Sequence, residues 1–424
     1  MRFSLQSGDT YDKIDSTNHQ QKKAVMLIME CKFAKLGCGG CEALQLPYAE
    51  QLRTKQQTVE KLLGSFGPVK PILGAEDPLH YRCKVISTFA ADRDGRLTGG
   101  LYVKDTHRVL PTENCLLEDE RAGQIAAAVR RCAARCRYTA YDEDRRTGLL
   151  RHVVVRRGAG TGQIMVILVT AQAILPGSRN FVALLRESCP DVTTVIQNVN
   201  EKESSAVLGN VNKVLYGPGH IEDTLCGCRF LISPGSFYQI NPAQTEHLYR
   251  CAVEAAALHD GDRVLDAYCG TGTIGLVAAK NGAGEVLGVE SSRPAVQDAI
   301  ANARRNGIRN ARFVAADAGR FMTELTQRQE DAPDVVFMDP PRAGSDRAFL
   351  TALLRLAPKK IVYVSCNPET QARDMKTLIG GGYRVASIQP IDLFPFTAHT
   401  EVVVSMTRGN DREDRSGKTF RKNR

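Results

Sequence analysis

Two short apolar runs, each ending abruptly in polar residues and proline, do most to decide what this chain can fold into. The first reads Asp334-Val-Val-Phe-Met-Asp339-Pro-Pro-Arg342, and the second Lys359-Lys-Ile-Val-Tyr-Val-Ser-Cys366-Asn367-Pro368. Continuous β-branched runs of this length, with a helical interval between them, predict parallel strands buried on both faces. Open α/β sheets bind ligands at the carboxyl edge of their strands. The two runs therefore deliver a carboxylate, Asp339, and a thiol, Cys366, to one edge, where the centre of an active site is expected.

Upstream, Asp262-Arg-Val-Leu-Asp266-Ala-Tyr268-Cys269-Gly270-Thr-Gly272-Thr-Ile-Gly275 reads as strand, glycine turn and helix. Dinucleotide folds share this glycine spacing, so it is not diagnostic alone. Asp266 discriminates: a carboxylate beside the turn would repel a pyrophosphate, yet suits the cationic amino group of a methionine moiety. The next strand ends in Glu290, whose carboxylate can accept both ribose hydroxyls. Further strands at 311–315 (followed by Asp317), 335–338, 361–364 and 402–406 complete a doubly wound sheet, and a helix at 243–258 leads into it. The expected fold class is α/β, with a C-terminal class I (Rossmann-like) methyltransferase domain over 231–408.

Ahead of it, 31–230 is expected to form a mixed α/β middle domain. Strand patterns fall at 85–89, 101–103, 152–157, 164–170 and 194–200, with helical intervals at 118–135 and 180–188. Pro47 to Leu63 has helical spacing. Arg145, Arg146, Arg151, Arg156 and Arg157 crowd one segment, which makes a phosphate-facing surface plausible there. Residues 1–30 form a polar extension with one edge-strand candidate, and 409–424 a disordered basic tail. The net charge of +9 favours a polyanionic partner. Neither a membrane span nor a signal peptide is evident, so the cytoplasm is the expected compartment and no membrane partner is expected.

Thirteen cysteines in such a chain are not expected to form a disulfide framework. Cys31, Cys38 and Cys41 fall within eleven residues, among glycines that let the backbone curl. Converging thiolates suit a soft metal or an iron–sulfur cluster, which needs a fourth ligand. Cys115, in a turn, is preferred to Cys83, which alternates inward within a strand.

If a methyl sulfonium sits over the glycine turn, the thiol constrains the acceptor. Oxygen and nitrogen acceptors need only orientation and a base. C5 of uracil becomes nucleophilic only after a thiolate adds to C6, and its proton must then be removed. Cys366 supplies the thiol. Glu401, at the head of the last strand, is the expected base.

The segments Cys38-Gly-Gly-Cys41, Ser-Phe-Tyr-Gln239-Ile-Asn, Asp266-Ala-Tyr268-Cys-Gly-Thr-Gly, Asp339-Pro-Pro-Arg, Val-Ser-Cys366-Asn-Pro and His-Thr-Glu401 together resemble the RNA uracil-C5 methyltransferases that make 5-methyluridine. The resemblance spans about residues 31 to 408. It implies that Cys366 is the nucleophile and Glu401 the base, and that Gln239, Tyr268, Glu290, Asp339 and Asp317 bind S-adenosylmethionine. It further implies a [4Fe-4S] cluster on Cys31, Cys38, Cys41 and Cys115, a feature of the ribosomal branch, and hence 23S ribosomal RNA as substrate for a monomeric enzyme. The alternatives are transfer-RNA uridine-C5 or RNA cytosine-C5 methylation, or a silent RNA-binding iron–sulfur protein. Many members begin with a small RNA-binding β-barrel, which is not expected in the thirty residues before Cys31.

Overall fold

The computed structural model describes residues 30–203, 206–327 and 332–409. The edge-strand candidate at 24–29 and the basic tail beyond 409 lie outside them. Two seven-stranded sheets dominate the described residues. A short helix, α1 (Lys32–Lys35), and a long one, α2 (Tyr48–Leu63), precede them.

The first sheet contains β1 (Lys84–Ala91), β2 (Leu97–Tyr102), β3 (Val109–Pro111), β4 (Leu150–Arg157), β5 (Ile164–Thr170), β6 (Val192–Val199) and β7 (Val211–Tyr216). Their order is β3-β2-β1-β4-β5-β6-β7, and only the β5–β6 pair is parallel. Helices α3 (Glu120–Arg135) and α4 (Ser178–Ser188) pack on one face. β5 is buried along its whole length because it has a core on each side. Ile164, Val166 and Leu168 face the helices, while Met165, Ile167 and Val169 join a core shared with the second sheet. That two-sided burial explains its unbroken apolar sequence.

A hairpin, β8 (Ile221–Leu225) and β9 (Cys228–Ile232), links the sheets. It turns through Cys226 and Gly227, both at positive φ, as a two-residue hairpin requires. The sequence reading missed this hairpin and β7. Both are short, and β7 is exposed over most of its length, so the apolar alternation that reveals a strand is weak.

The second sheet is built from α5 (Pro242–Ala256), β10 (Arg263–Ala267), α6 (Thr273–Lys280), β11 (Glu285–Glu290), α7 (Arg293–Arg305), β12 (Ala311–Ala315), α8 (Ala318–Leu325), β13 (Val335–Met338), α9 (Arg347–Leu356), β14 (Lys360–Ser365), α10 (Pro368–Gly380), β15 (Tyr383–Ile391) and β16 (Glu401–Arg408). The strand order is β12-β11-β10-β13-β14-β16-β15; β10 to β14 run parallel and β16 enters antiparallel between β14 and β15. The order reverses between β10 and β13, the position at which such a sheet opens a crevice for a ligand.

α2 braces this sheet by burying Val59 and Leu63 in its second core. Lys55 is tied by an ion pair of 2.6 Å to Asp392, and Tyr48 donates to the other oxygen of the same carboxylate at 2.7 Å. Both partners of the ion pair are buried. Lys55→Met should leave an uncompensated buried carboxylate and lower stability by about 3 kcal/mol. Thermal denaturation checks this, and an unchanged melting temperature would contradict it.

Candidate active site

The carboxyl ends of β10, β13 and β14 lie side by side, with Ala267 level with Met338 and Met338 level with Tyr363. Tyr268, Asp339 and Cys366 therefore leave the sheet at one edge. β16 runs the other way, pairing Val402 with Ser365. Its first residue, Glu401, thereby falls opposite Cys366. Antiparallel entry is what places the start of one strand beside the end of another.

These groups share an electrostatic neighbourhood. Burial raises the Glu401 carboxyl to about 8, with Asp339 pushing the same way and Arg342 opposing. Burial also raises the Cys366 thiol; Glu401 and Asp339 add to the shift, while Arg342 lies against the sulfur and favours the thiolate. Asp339 rises to about 7 through burial. The arrangement is thus a thiol and two carboxyls held short of full ionisation, with one guanidinium facing them. A set of perturbed groups in a crevice is the signature of a reactive site. Arg342 is oriented by the ring of His399, 2.9 Å from its guanidinium. The loop after Pro341 is pinned by the buried Asp374, which accepts from the Ser345 amide and the Tyr363 hydroxyl, both at 2.8 Å.

Beside this centre lies a narrow pocket of about 40 Å³, whose walls include Gln239, Asp266, Tyr268, Gly270 and Asp339. Gly272 at φ +80 opens α6, where a Cβ would meet the Phe313 ring at 2.9 Å. Glu290 accepts from the Gly270 amide at 3.2 Å and the Ser292 amide at 2.8 Å, so it fixes the turn while standing at the end of β11. Asp317 caps α8 by accepting from the Arg320 amide at 2.9 Å, and its charge reaches Tyr268.

Asp266 lines this pocket and also anchors the helix that follows the glycine turn. It is buried, raised to about 7, and accepts from the Gly275 amide at 2.8 Å. One oxygen anchors the helix start, which leaves the other free for the pocket. The arginine-rich segment is corrected: Arg151 and Arg156 are buried, and Arg157 pairs with Asp119 at 2.9 Å. Only Arg145 and Arg146 of the five present an exposed charge.

Sequence reasoning passed over Phe237. Its ring is 68% exposed at the pocket mouth, between buried Ser236 and Tyr238. A large aromatic left in water beside a reactive centre is a signal that appears only once the fold is known.

Cys31, Cys41 and Cys115 pack on one small core formed by Leu44, Tyr81, Leu117 and Phe396. The Cys41 thiol is raised to about 12 by burial, lowered by Arg82, and raised by Cys115, Cys38 and Cys31, so all four thiols lie within electrostatic reach. Cys83 is elsewhere, buried with its thiol directed at the Gln239 carbonyl. The described cysteines are all free thiols. Among the described residues no group of three or more His, Cys, Asp or Glu side chains stands at metal-binding spacing. Three thiols on one patch, with Cys38 in electrostatic reach, are nevertheless the soft donors that an iron–sulfur or other soft-metal group takes. The cysteine loop is joined to the segment that leads into β16, since the Glu42 and Ala43 amides donate to the Phe396 carbonyl at 3.1 and 3.2 Å, ahead of Glu401. No described helix is long and apolar enough to cross a membrane.

A family profile described as tRNA (uracil-5-)-methyltransferase matches residues 227–409. An uncharacterized RNA methyltransferase of Halalkalibacterium halodurans is 40% identical over 378 residues, covering 88% of this chain and 82% of that one. Another, from Caldanaerobacter subterraneus subsp. tengcongensis, is 39% identical over 383 residues, covering 89% and 84%. Among solved structures, the Pyrococcus abyssi tRNA (uracil-54, C5)-methyltransferase in complex with S-adenosyl-L-homocysteine superposes with a TM-score of 0.73 at 28% identity, covering 88% of this chain and 86% of that one.

Proposed function

This chain belongs to the RNA uracil-C5 methyltransferases, S-adenosylmethionine-dependent enzymes of RNA modification, and on that footing we propose that it methylates a uridine of 23S ribosomal RNA through Cys366 and Glu401. The observation that carries the mechanism is the meeting of Cys366, Glu401, Asp339 and Arg342 at one strand edge. An acceptor other than carbon would leave the thiol without a task.

The steps follow from the groups present. Arg342 favours the Cys366 thiolate, which adds to C6 of the uracil; the C5–C6 π electrons move to give an enolate with nucleophilic C5. S-adenosylmethionine, when bound, supplies the methyl group that C5 accepts. Glu401 then takes the C5 proton, the C6–sulfur bond breaks, and the ring double bond returns with Cys366 released as thiolate. Gln239, Tyr268, Glu290 and Asp339 form the donor's binding surface, with Asp317 at its margin. The exposed Phe237 ring offers a face on which an unstacked base can rest.

Cys31, Cys38, Cys41 and Cys115 would hold a [4Fe-4S] cluster, which would cross-link the N-terminal loop to the turn that follows β3. Anaerobically purified protein should be brown, and Cys41→Ser should lose both the colour and about four irons per chain. Bound zinc in place of iron would overturn the assignment.

The four cysteines support the ribosomal substrate, and a cytoplasmic setting keeps those thiols reduced. The enzyme is taken to act as a monomer, which light scattering of the purified protein tests. The solved neighbour acts on transfer RNA, which makes a transfer-RNA uridine the second reading. Mass mapping of 5-methyluridine in both RNAs from a deletion strain decides. Loss confined to 23S RNA is expected, and loss confined to transfer RNA would replace that substrate.

A further inference from the structure

The face of the first sheet that looks toward the second carries another cavity, which the reaction above does not use. It measures about 590 Å³. Its walls include Tyr102, His107, Tyr141, Glu143, Arg151 and His152. At its floor, Ile86 and Val207 pack against the core common to both sheets.

The walls are preorganised. The buried Arg151 guanidinium stacks on the Tyr141 ring at 5.0 Å, donates to the carbonyls of Asn200 and Lys202 at 3.2 and 2.8 Å, and donates to Glu143 Oε1 at 3.1 Å. Its Nε is buried without a partner. Glu143 is thereby held in place, its second oxygen 3.6 Å from Nδ1 of the exposed His107, which tilts against Tyr102 at 6.2 Å between centroids. His152 sits 3.1 Å from Thr88 Oγ1, and burial lowers its pKa to about 4, so it is neutral. Opposite, Arg146 pairs with Glu203 at 3.0 Å.

Two guanidiniums and two carboxylates leave the cavity electrically balanced, which does not suit a phosphate. Aromatic walls with a carboxylate at one edge suit a flat, neutral, unstacked nucleobase. A carboxylate with two acceptor oxygens complements two adjacent N–H donors. Among the common bases, only guanine has adjacent ring N–H and amino donors on its pairing edge.

The position also fits. His152, Val154 and Arg156 share one face of β4, since they alternate along it. Val154 enters the shared core, and Arg156 donates to the Ser236 carbonyl at 2.7 Å, beside Phe237. Four residues of strand, about 13 Å, thus separate the cavity wall from the anchor of the catalytic rim.

We propose that this cavity receives an unpaired guanine of the RNA substrate a few nucleotides from the target uridine, with Glu143 accepting from its N1–H and N2 amino groups. This rests on the reading of the chain as an RNA uridine methyltransferase and adds a readout of sequence that the catalytic groups lack.

The test uses an RNA fragment that the protein methylates, with each unpaired guanosine near the target replaced singly by inosine, which lacks the N2 amino group. One replacement should raise KM for RNA about tenfold with the unaltered protein. Glu143→Gln should show a similar rise on unmodified RNA, and that same replacement should then add little, because the two changes remove one interaction. KM for S-adenosylmethionine should move less than about twofold. Methylation without an inosine effect at any position, or an effect undiminished in Glu143→Gln, overturns the proposal. So does tight binding of free guanosine monophosphate without an inosine effect, which would make this a free-nucleotide site. RNA binding is measured apart from methylation. RNA bound but never methylated at C5 would refute the uridine reading, and the inosine series on binding alone would still judge the cavity.

Discussion

Cys366→Ala should lower kcat for RNA methylation by about 10⁴-fold or more, because C5 of an unactivated uracil cannot attack a methyl group at a useful rate. The substitution removes one half-buried sulfur at the end of β14 and leaves its neighbours in place. Ser365 still bonds with the Asn367 backbone, and Asn367 still caps α10 by accepting from the Glu369 amide at 3.1 Å. Fold and donor binding should therefore survive, and isothermal titration with S-adenosylhomocysteine separates lost chemistry from lost structure. Cys366→Ser should be equally inactive, since an alkoxide is not available at neutral pH. Residual activity within about tenfold of the parent in either variant would mean that the thiol has another role.

Glu401→Gln should act differently. Addition and methyl transfer precede proton removal, so the amide variant should stall after the methyl has arrived, with RNA still joined to Cys366. Turnover should fall by about 10²- to 10⁴-fold. A protein–RNA species resistant to denaturing electrophoresis should accumulate on unmodified RNA, and vanish when Cys366→Ala is added. In the unaltered protein Glu401 must be ionised to take the proton, and its carboxyl is raised to about 8. Activity should therefore climb as pH rises through about 8, and a profile flat from 6 to 9 would contradict the assignment. The same shift carries a stability consequence. A carboxyl raised in the folded state keeps its proton where the unfolded chain has lost it, so stability falls as pH rises from the ordinary carboxylate range toward 8. Glu401→Gln escapes that loss and should melt higher than the parent at pH 8, but not at pH 4.

The catalytic edge was legible because its strands are buried on both faces. Residues 335–338 and 361–364 had to be continuously apolar, and the residues that follow them had to be polar. The closeness of Cys31, Cys38 and Cys41 was legible from spacing, whereas Cys83, expected inside a strand, precedes β1 and is buried against the Gln239 carbonyl. What could not be read is orientation set by long-range packing. Asp266 and Glu290 carry carboxylates near strand ends in the expected way, yet nothing local shows that each also braces the glycine turn, Asp266 through the Gly275 amide and Glu290 through the Gly270 amide. Arg151 and Arg156 look like surface charge in sequence, because nothing local reports the distant carbonyls of Asn200, Lys202 and Ser236 that take them in. Phe237 and the Tyr102–Tyr141 cavity depend on which apolar rings the fold leaves uncovered, a property of the assembled sheets rather than of any window of residues. Arg342 was visible in its motif, but its approach to Cys366 comes from the pairing of β13 with β14, and the charge of Glu401 joins them only because β16 enters antiparallel.

A transient bond between Cys366 and C6 of the target base is the claim on which this account turns. RNA carrying 5-fluorouridine at the target tests it, because fluorine at C5 leaves no proton for Glu401 to remove. Mass spectrometry of the digested complex should find the Cys366 peptide joined to a 5-methylated fluorouridine, and no such adduct with Cys366→Ala. Binding of that RNA without any adduct, or an adduct on a different cysteine, while ordinary RNA is methylated at a normal rate, would contradict it.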